Sequence, residues 1–248
     1  MNKKCCVYYF IIATLVYIIL FGHYRIEAID DAWSLSFVWN FANHIVTDPV
    51  FLRSGTSPIV FGQTHSLVYS TILNFVGWSR SNAHGVSLLL TIVSVFLWGK
   101  ILFLPDWSKK NIFILMFIAL LLAPSLGAAN PPRPEALCFL LLSAGLLSFM
   151  KRRFFVAVLL ACLATETHPM GIISFVYYLA FALSDFSRSE WKRAFLWGIP
   201  ASLLGVAYFI IINNASFSVI LETVQWGRQF APSPFGTFSE YFIHRAYH

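Results

Sequence analysis

The chain has 248 residues, of which 58% are hydrophobic, 17% aromatic and only 11% charged, and its mean hydropathy is +0.71. These values lie far from the balance of soluble globular domains, so they exclude a soluble enzyme and indicate an integral membrane protein. The formal net charge of +6 is spread over short loops and forms no basic stripe, which argues against nucleic acid as a partner.

Seven apolar segments predict an all-α, polytopic bundle of transmembrane helices, since a span needs about 20 mostly apolar residues. The first segment follows Lys3 and Lys4 and is not followed by a small-x-small cleavage site, so we interpret it as a retained anchor. Residues 154–167 form the shortest of the seven. The candidate spans are residues 5–22, 84–104, 111–128, 135–150, 154–167, 169–184 and 195–213.

The distribution of basic residues predicts the orientation of these spans. If the N-terminus is cytoplasmic, eleven of the 17 Lys and Arg residues fall in inner loops and the other six fall outside. Cytoplasmic loops of membrane proteins are enriched in Lys and Arg. The sequence therefore predicts a multi-pass protein of the cell membrane, with a cytoplasmic N-terminus and with membrane lipid as its surroundings.

The long outer loop, residues 23–83, contains two predicted amphipathic helices, residues 31–45 and 64–78. Such helices lie in the membrane interface, with the polar stripe turned away from the lipid. They either form a platform for the head group of a lipid-borne substrate or simply pack over the bundle. The polar stripes contain Ser36, Asn40, Asn43 and His44 in the first helix, and Ser66, Ser70, Asn74 and Gly77 in the second.

Most ionisable residues suited to chemistry fall at the outer ends of these predicted helices, which indicates one working face. Asp30 and Asp31 follow the first span, and Arg133 and Glu135 flank a proline-rich turn. Further outer candidates are Glu166, His168, His65 and Arg53.

The order of these motifs resembles the GT-C class of polytopic glycosyltransferases, which take sugars from polyprenyl-phosphate carriers. The resemblance covers residues 1–213 and rests on Ile29-Asp30-Asp31-Ala32-Trp33 after the first span, on Arg133-Pro134-Glu135-Ala136-Leu137 and on Thr167-His168-Pro169-Met170-Gly171. The two later motifs look like features of bacterial members related to protein O-mannosyltransferases and lipid A aminoarabinose transferases. The resemblance implies a bacterial inner-membrane enzyme that moves a sugar from a polyprenyl-phosphate donor to a glycan, lipid or protein acceptor on the outer face.

The resemblance also implies roles for individual residues. Glycosyl transfer needs a base for the acceptor hydroxyl and positive charge or hydrogen-bond donors for the departing phosphate. Asp30 is the first candidate for the base and Asp31 the second, although many relatives have Asp followed by Glu there. Arg133 and His168 are the candidates for the lipid phosphate, because guanidinium matches phosphate oxygens and cannot lose its charge.

Each of these residues also has a simpler interpretation. Asp30 and Asp31 lie where a helix begins and are favoured there as caps, and an arginine at a helix end often reaches toward lipid head groups. Glu135 suits the positive end of a helix dipole, and His168 precedes a proline suited to a helix start. Glu166 and His168 form a weak Glu-x-His pair, and since some GT-C enzymes use a divalent cation and others none, the metal stays unknown.

Whole GT-C enzymes carry more spans than the seven predicted here. We therefore expect residues 1–213 to be a GT-C-like transmembrane domain, and residues 214–248 to begin an outer segment of a longer or truncated enzyme. A transporter component and a non-catalytic membrane protein are the alternatives. Transporters usually carry ionisable residues or broken helices near the middle of the membrane, which the predicted spans almost lack.

Overall fold

The structure is a computed structural model that describes Ile12 and residues 29–43, 63–102 and 133–213. All regular structure in these ranges is helical. Apart from Ile12, the predicted spans at residues 5–22 and 111–128, the predicted tail at 214–248 and Arg53 lie outside the described residues. The helices are α1 (Ile29–Ala42), α2 (Gln63–Val76), α3 (Arg80–Leu102), α4 (Pro134–Met150), α5 (Phe154–Thr167), a 3-10 helix (Pro169–Ile172), α6 (Ile173–Asp185) and α7 (Arg188–Ile212).

Two of these helices are long and apolar enough to cross a membrane, and they coincide with two of the predicted spans. They are Arg80–Ile101 and Arg188–Ile212. Three further predicted spans are helical but shorter, at 17 residues for α4, 14 for α5 and 13 for α6. A 14-residue helix rises only about 21 Å against a hydrocarbon core of about 30 Å.

Helix α7 leaves most of its apolar surface uncovered by the described residues. Only 11% of its most apolar 18-residue window is buried, whereas half of the corresponding window of α3 is buried. A helix that is apolar all round and little buried in protein suits a lipid environment. Its exposed large apolar residues are Phe195, Leu196, Trp197, Ile199, Leu203, Leu204, Val206, Ile210 and Ile211.

Helix α4 is the centre of the bundle, because it packs against α3, α5 and α6. Helix α5 returns antiparallel to α4 after a short turn, and its other side packs against α7. Gly205 of α7 allows this contact to be close, since a Cβ atom at that position would lie 2.5 Å from Cβ of Cys162. Close approach through a small residue is a common way for membrane helices to pack.

A second close approach fixes the 3-10 helix on the end of α5. A Cβ atom at Gly171 would lie 2.2 Å from the backbone carbon of Ala164, too close for any side chain. Pro169 occupies the start of this 3-10 helix and His168 caps it, as the sequence predicted for a helix start. The contact therefore holds the His168 junction against the end of α5.

Helices α1 and α2 begin and end within three residues of their predicted bounds. In the predicted polar stripe of α2, Asn74 and Gly77 are exposed as expected, but Ser66 and Ser70 face the bundle. Ser66 and Ser70 are 3% and 4% exposed, whereas Phe75 is 87% exposed. Burial of these serines is tolerated because a small hydroxyl can bond within its own helix, as Ser70 Oγ does by donating to the Leu67 carbonyl at 3.2 Å. Helix α2 thus packs over the bundle with a mixed polar and apolar face against α1, α3 and α5.

The opposite end of the bundle holds a separate charged cluster. Arg152, in the turn between α4 and α5, donates to Asp185 at 3.1 Å and to Glu190 at 2.7 Å. Its guanidinium also lies 4.6 Å from the centre of the Phe186 ring. These contacts tie the end of α6 and the start of α7 to the α4–α5 turn, far along the helices from Arg133 and His168.

Candidate functional site

An ion pair marks the N-terminal start of α4. Arg133 precedes the helix in an extended conformation, Pro134 takes the first helical position and Glu135 follows in the first turn. The Arg133 Nη2 and Glu135 Oε1 atoms are 2.8 Å apart, and the two side chains are only 16% and 9% exposed. Because water screens such a shielded pair little, the two charges are held firmly together.

The second carboxylate oxygen of Glu135 is buried and receives no hydrogen bond from the described part of the chain. Glu135 is 8% exposed and lines a cleft whose water-accessible space is about 10 Å³, room for about one water molecule. A buried carboxylate oxygen normally has a hydrogen-bond donor, so this one is suited to receive a donor from a bound molecule or water. The other lining residues are Cys138, Phe139, Leu142, His168, Met170 and Ile173.

His168 faces this cleft from the junction between α5 and the 3-10 helix. Its Nδ1 atom accepts a hydrogen bond from the Met170 backbone N–H at 3.2 Å, which places the ring proton of the neutral form on Nε2. Burial lowers the pKa of His168, the charge of Glu135 opposes that shift, and the charge of Arg133 adds to it. His168 is therefore a neutral hydrogen-bond donor at neutral pH, and the charges of Arg133 and Glu135 both act on it.

Glu166 has a different set of contacts from the one its Glu-x-His pairing with His168 suggested. Its carboxylate lies at the N-terminus of α2, where Oε2 accepts from the Thr64 N–H at 3.3 Å and Oε1 accepts from Asn213 Nδ2 at 3.0 Å. Glu166 is 6% exposed. Within the described ranges, no group of three or more His, Cys, Asp or Glu residues could hold a metal ion.

His65, a further candidate, is buried in α2 at 1% exposure, with its ring centre 4.3 Å from that of Tyr69. The Tyr69 and Ser87 hydroxyl oxygens are 2.7 Å apart. Burial raises the pKa of Tyr69, the Ser87 bond opposes the rise, and the charge of Glu135 adds to it. Sequence reasoning missed Tyr69 and Ser87, although the four-residue spacing of His65 and Tyr69 on one helical face was a usable signal.

Asp30 and Asp31 lie in the first turn of α1, where the sequence placed a helix start. Their side chains and the whole of Arg53 lie outside the described residues. Acidic residues in a first turn interact favourably with the helix dipole, whatever their further role. The structure thus brings Arg133, Glu135 and His168 together and puts Glu166 at the N-terminus of α2.

Comparison with models of protein families, with curated proteins and with solved structures finds no match to this chain.

Proposed function

We propose that this chain is a membrane glycosyltransferase of the GT-C kind, or the N-terminal part of one. It transfers a sugar from a polyprenyl-phosphate donor to a glycan, lipid or protein acceptor on the outer face of the bacterial inner membrane. The observation that supports this function is the grouping of the Arg133–Glu135 ion pair with His168, beside a cleft that Glu135, His168 and mostly apolar side chains line. Charged and polar groups beside an apolar lining suit a phosphate that is carried on a lipid chain.

The proposed reaction assigns one role to each group. Asp30 or Asp31 takes the proton of the acceptor hydroxyl, whose oxygen bonds to the anomeric carbon with inversion as the carbon–oxygen bond to the carrier phosphate breaks. Negative charge then collects on the departing phosphate. The guanidinium of Arg133 and the Nε2–H of His168 stabilise that charge, and the ion pair with Glu135 holds the guanidinium in place.

The same proposal includes a bundle of seven spans with a cytoplasmic N-terminus. Two helices are long enough to cross alone, and the shorter α4, α5 and α6 pack against each other and against α3 or α7. Mutual burial and local thinning of the bilayer make short spans tolerable. The separation of the Arg133 and Arg152 clusters to opposite ends of α4 fits one outer and one cytoplasmic face.

The placement of charge also favours surface chemistry over transport. Every Asp, Glu, Lys and Arg in the described helices from α3 to α7 lies within the first or last two turns. Transporters bind substrate near the midplane with ionisable groups or unwound backbone. The middles of the described helices from α3 to α7 carry no Asp, Glu, Lys or Arg, and Pro200 of α7 is the proline inside them.

The test is sugar transfer by purified variants in proteoliposomes that contain polyprenyl-phosphate-linked sugars. The Asp30→Asn, Asp31→Asn double variant and Arg133→Met should each lose at least about a hundredfold in rate, the usual range for removing a general base or a charge-stabilising group. Arg193→Gln, an exposed cation at the opposite end of the bundle, is the matched control and should transfer normally. Normal transfer by the acidic double variant would remove the proposed base.

A further inference from the structure

Four residues distant in sequence meet where α2 begins. Glu166 lies in the last turn of α5, Asn213 follows α7, and Gln63 and Thr64 open α2. Besides its bond to Glu166, Asn213 accepts from the Gln63 N–H through Oδ1 at 3.3 Å. The Thr64 and Tyr208 hydroxyl oxygens are 2.8 Å apart, which adds a second link between α2 and α7.

We propose that Glu166 and Asn213 form a clasp that docks the surface helix α2 onto the outer ends of α5 and α7. Glu166 is then a positioning residue for the outer site and ligates neither metal nor phosphate. The first backbone N–H groups of a helix have no partner within it, and a carboxylate satisfies them while matching the dipole charge. The clasp therefore holds a helix that is too short to be stable alone.

The hydrogen-bond pattern requires these two side-chain types. Glu166 accepts on both oxygens, and Asn213 donates through Nδ2 to Glu166 and to the Phe209 carbonyl at 3.0 Å while accepting on Oδ1. A Gln at 166 places an N–H group against one of these donors. Rotating the Asn213 amide moves the conflict to the Gln63 N–H. Every arrangement of the Glu166→Gln amide therefore sets its NH2 group against another N–H donor, even where its remaining oxygen can still accept from the Thr64 N–H.

The clasp matters for the site because α2 carries His65 and Tyr69. Tyr69 bonds to Ser87 of α3 and lies within the electrostatic influence of Glu135. Release of the start of α2 loosens His65 first, since it follows Thr64 directly. The catalytic consequence of this positioning depends on the proposed glycosyl transfer, whereas the docking of α2 does not.

The primary experiment is amide hydrogen exchange on the full chain in lipid nanodiscs. Glu166→Gln should accelerate exchange in the first two turns of α2 by about 10- to 100-fold, as expected for loss of a charged hydrogen bond, and leave α4 and α6 unchanged. The matched control is Glu190→Gln, which removes another carboxylate cap, the one that accepts from the Ser187 N–H at 2.8 Å. Because Glu190 also pairs with Arg152, this variant should accelerate exchange at the start of α7 and around the α4–α5 turn, but not in α2.

Three results would overturn the proposal. In Glu166→Gln, they are unchanged amide exchange in α2 and an equal acceleration of exchange in all helices. In the unmodified chain, it is faster exchange in α2 when EDTA is added, which would identify Glu166 as a metal ligand. In a transferring preparation, Glu166→Gln should also raise KM for the sugar donor severalfold. This rise in KM distinguishes a positioning role from simple loss of folded protein, because a smaller folded fraction lowers the rate without raising KM. If no preparation transfers sugar, the proposed function is wrong, and the amide hydrogen-exchange result alone tests the clasp.

Discussion

The Arg133–Glu135 ion pair makes the most direct quantitative prediction. Replacing Arg133 alone by Met leaves a carboxylate that is about nine-tenths buried without its charged partner. Breaking a buried pair in this way typically costs about 3–5 kcal/mol. Arg133 keeps 16% exposure and Glu135 gains about 0.3–1 kcal/mol from the dipole of α4, so the lower end, about 3 kcal/mol, is expected.

Replacing both residues by Met should restore most of that loss. Two apolar side chains of similar volume need no charged partner, so the double variant should lie within about 1 kcal/mol of the unmodified chain. With about 3 kcal/mol lost in Arg133→Met and at most about 1 kcal/mol in the double variant, the double-mutant cycle gives a coupling energy of at least about 2 kcal/mol, to which any loss in Glu135→Met alone adds, and it cancels other contacts of Arg133.

The assay is equilibrium unfolding in mixed micelles, followed by tryptophan fluorescence. A loss below about 0.5 kcal/mol in Arg133→Met would refute the argument, because exposed pairs have energies of that size. A double variant as unstable as the sum of the two single variants would refute it equally.

Three further predictions concern packing and pH. Gly171→Ala should destabilise the chain by at least about 1–3 kcal/mol, since its Cβ would overlap backbone atoms of Ala164 that have no room to move, and thermal unfolding measures the loss. Gly205→Ala should separate α7 from α5 at similar cost, with part of the loss recovered by Cys162→Gly in the same chain; full stability of Gly205→Ala would contradict the packing. Because the pKa of His168 is lowered on folding, its contribution to stability is present above the ordinary histidine pKa and is lost as pH falls through the lowered value. His168→Asn keeps a capping acceptor but does not titrate, so its stability should fall less between pH 7 and about 5 than that of the unmodified chain, and equal slopes would contradict this role.

Helix positions could largely be predicted from the sequence, because apolar composition and turn residues act locally. Helix α5 occupies the predicted residues, and α4 differs from its prediction by one residue at its start. Helix α7 begins at Arg188, seven residues before the predicted span at residue 195. A hydropathy pattern does not detect this polar first part of the helix. The reciprocal hydrogen bonds of Ser187 and Glu190, which form a capping box, mark where it starts.

The roles of buried polar residues could not be predicted in the same way. Ser66 and Ser70 were expected to face outward as a polar stripe, but their side depends on which surface of α2 meets the bundle. Glu166 contacts Thr64, 102 residues earlier in the chain, and local pattern says nothing about so distant a partner. The grouping of Arg133 with Glu135 was predictable from their spacing, and the approach of His168 needed the antiparallel return of α5 along α4.

The measurement that tests the central claim most directly is sugar transfer by host membranes with and without this chain. Membranes are incubated with the host's own polyprenyl-linked sugars carrying a radioactive label, and label in glycan, lipid and protein fractions is counted. The proposed function predicts that label enters one acceptor fraction only when the chain is present, and that membranes carrying Arg133→Met lose it. Equal labelling of every fraction with and without the chain would contradict the glycosyltransferase function.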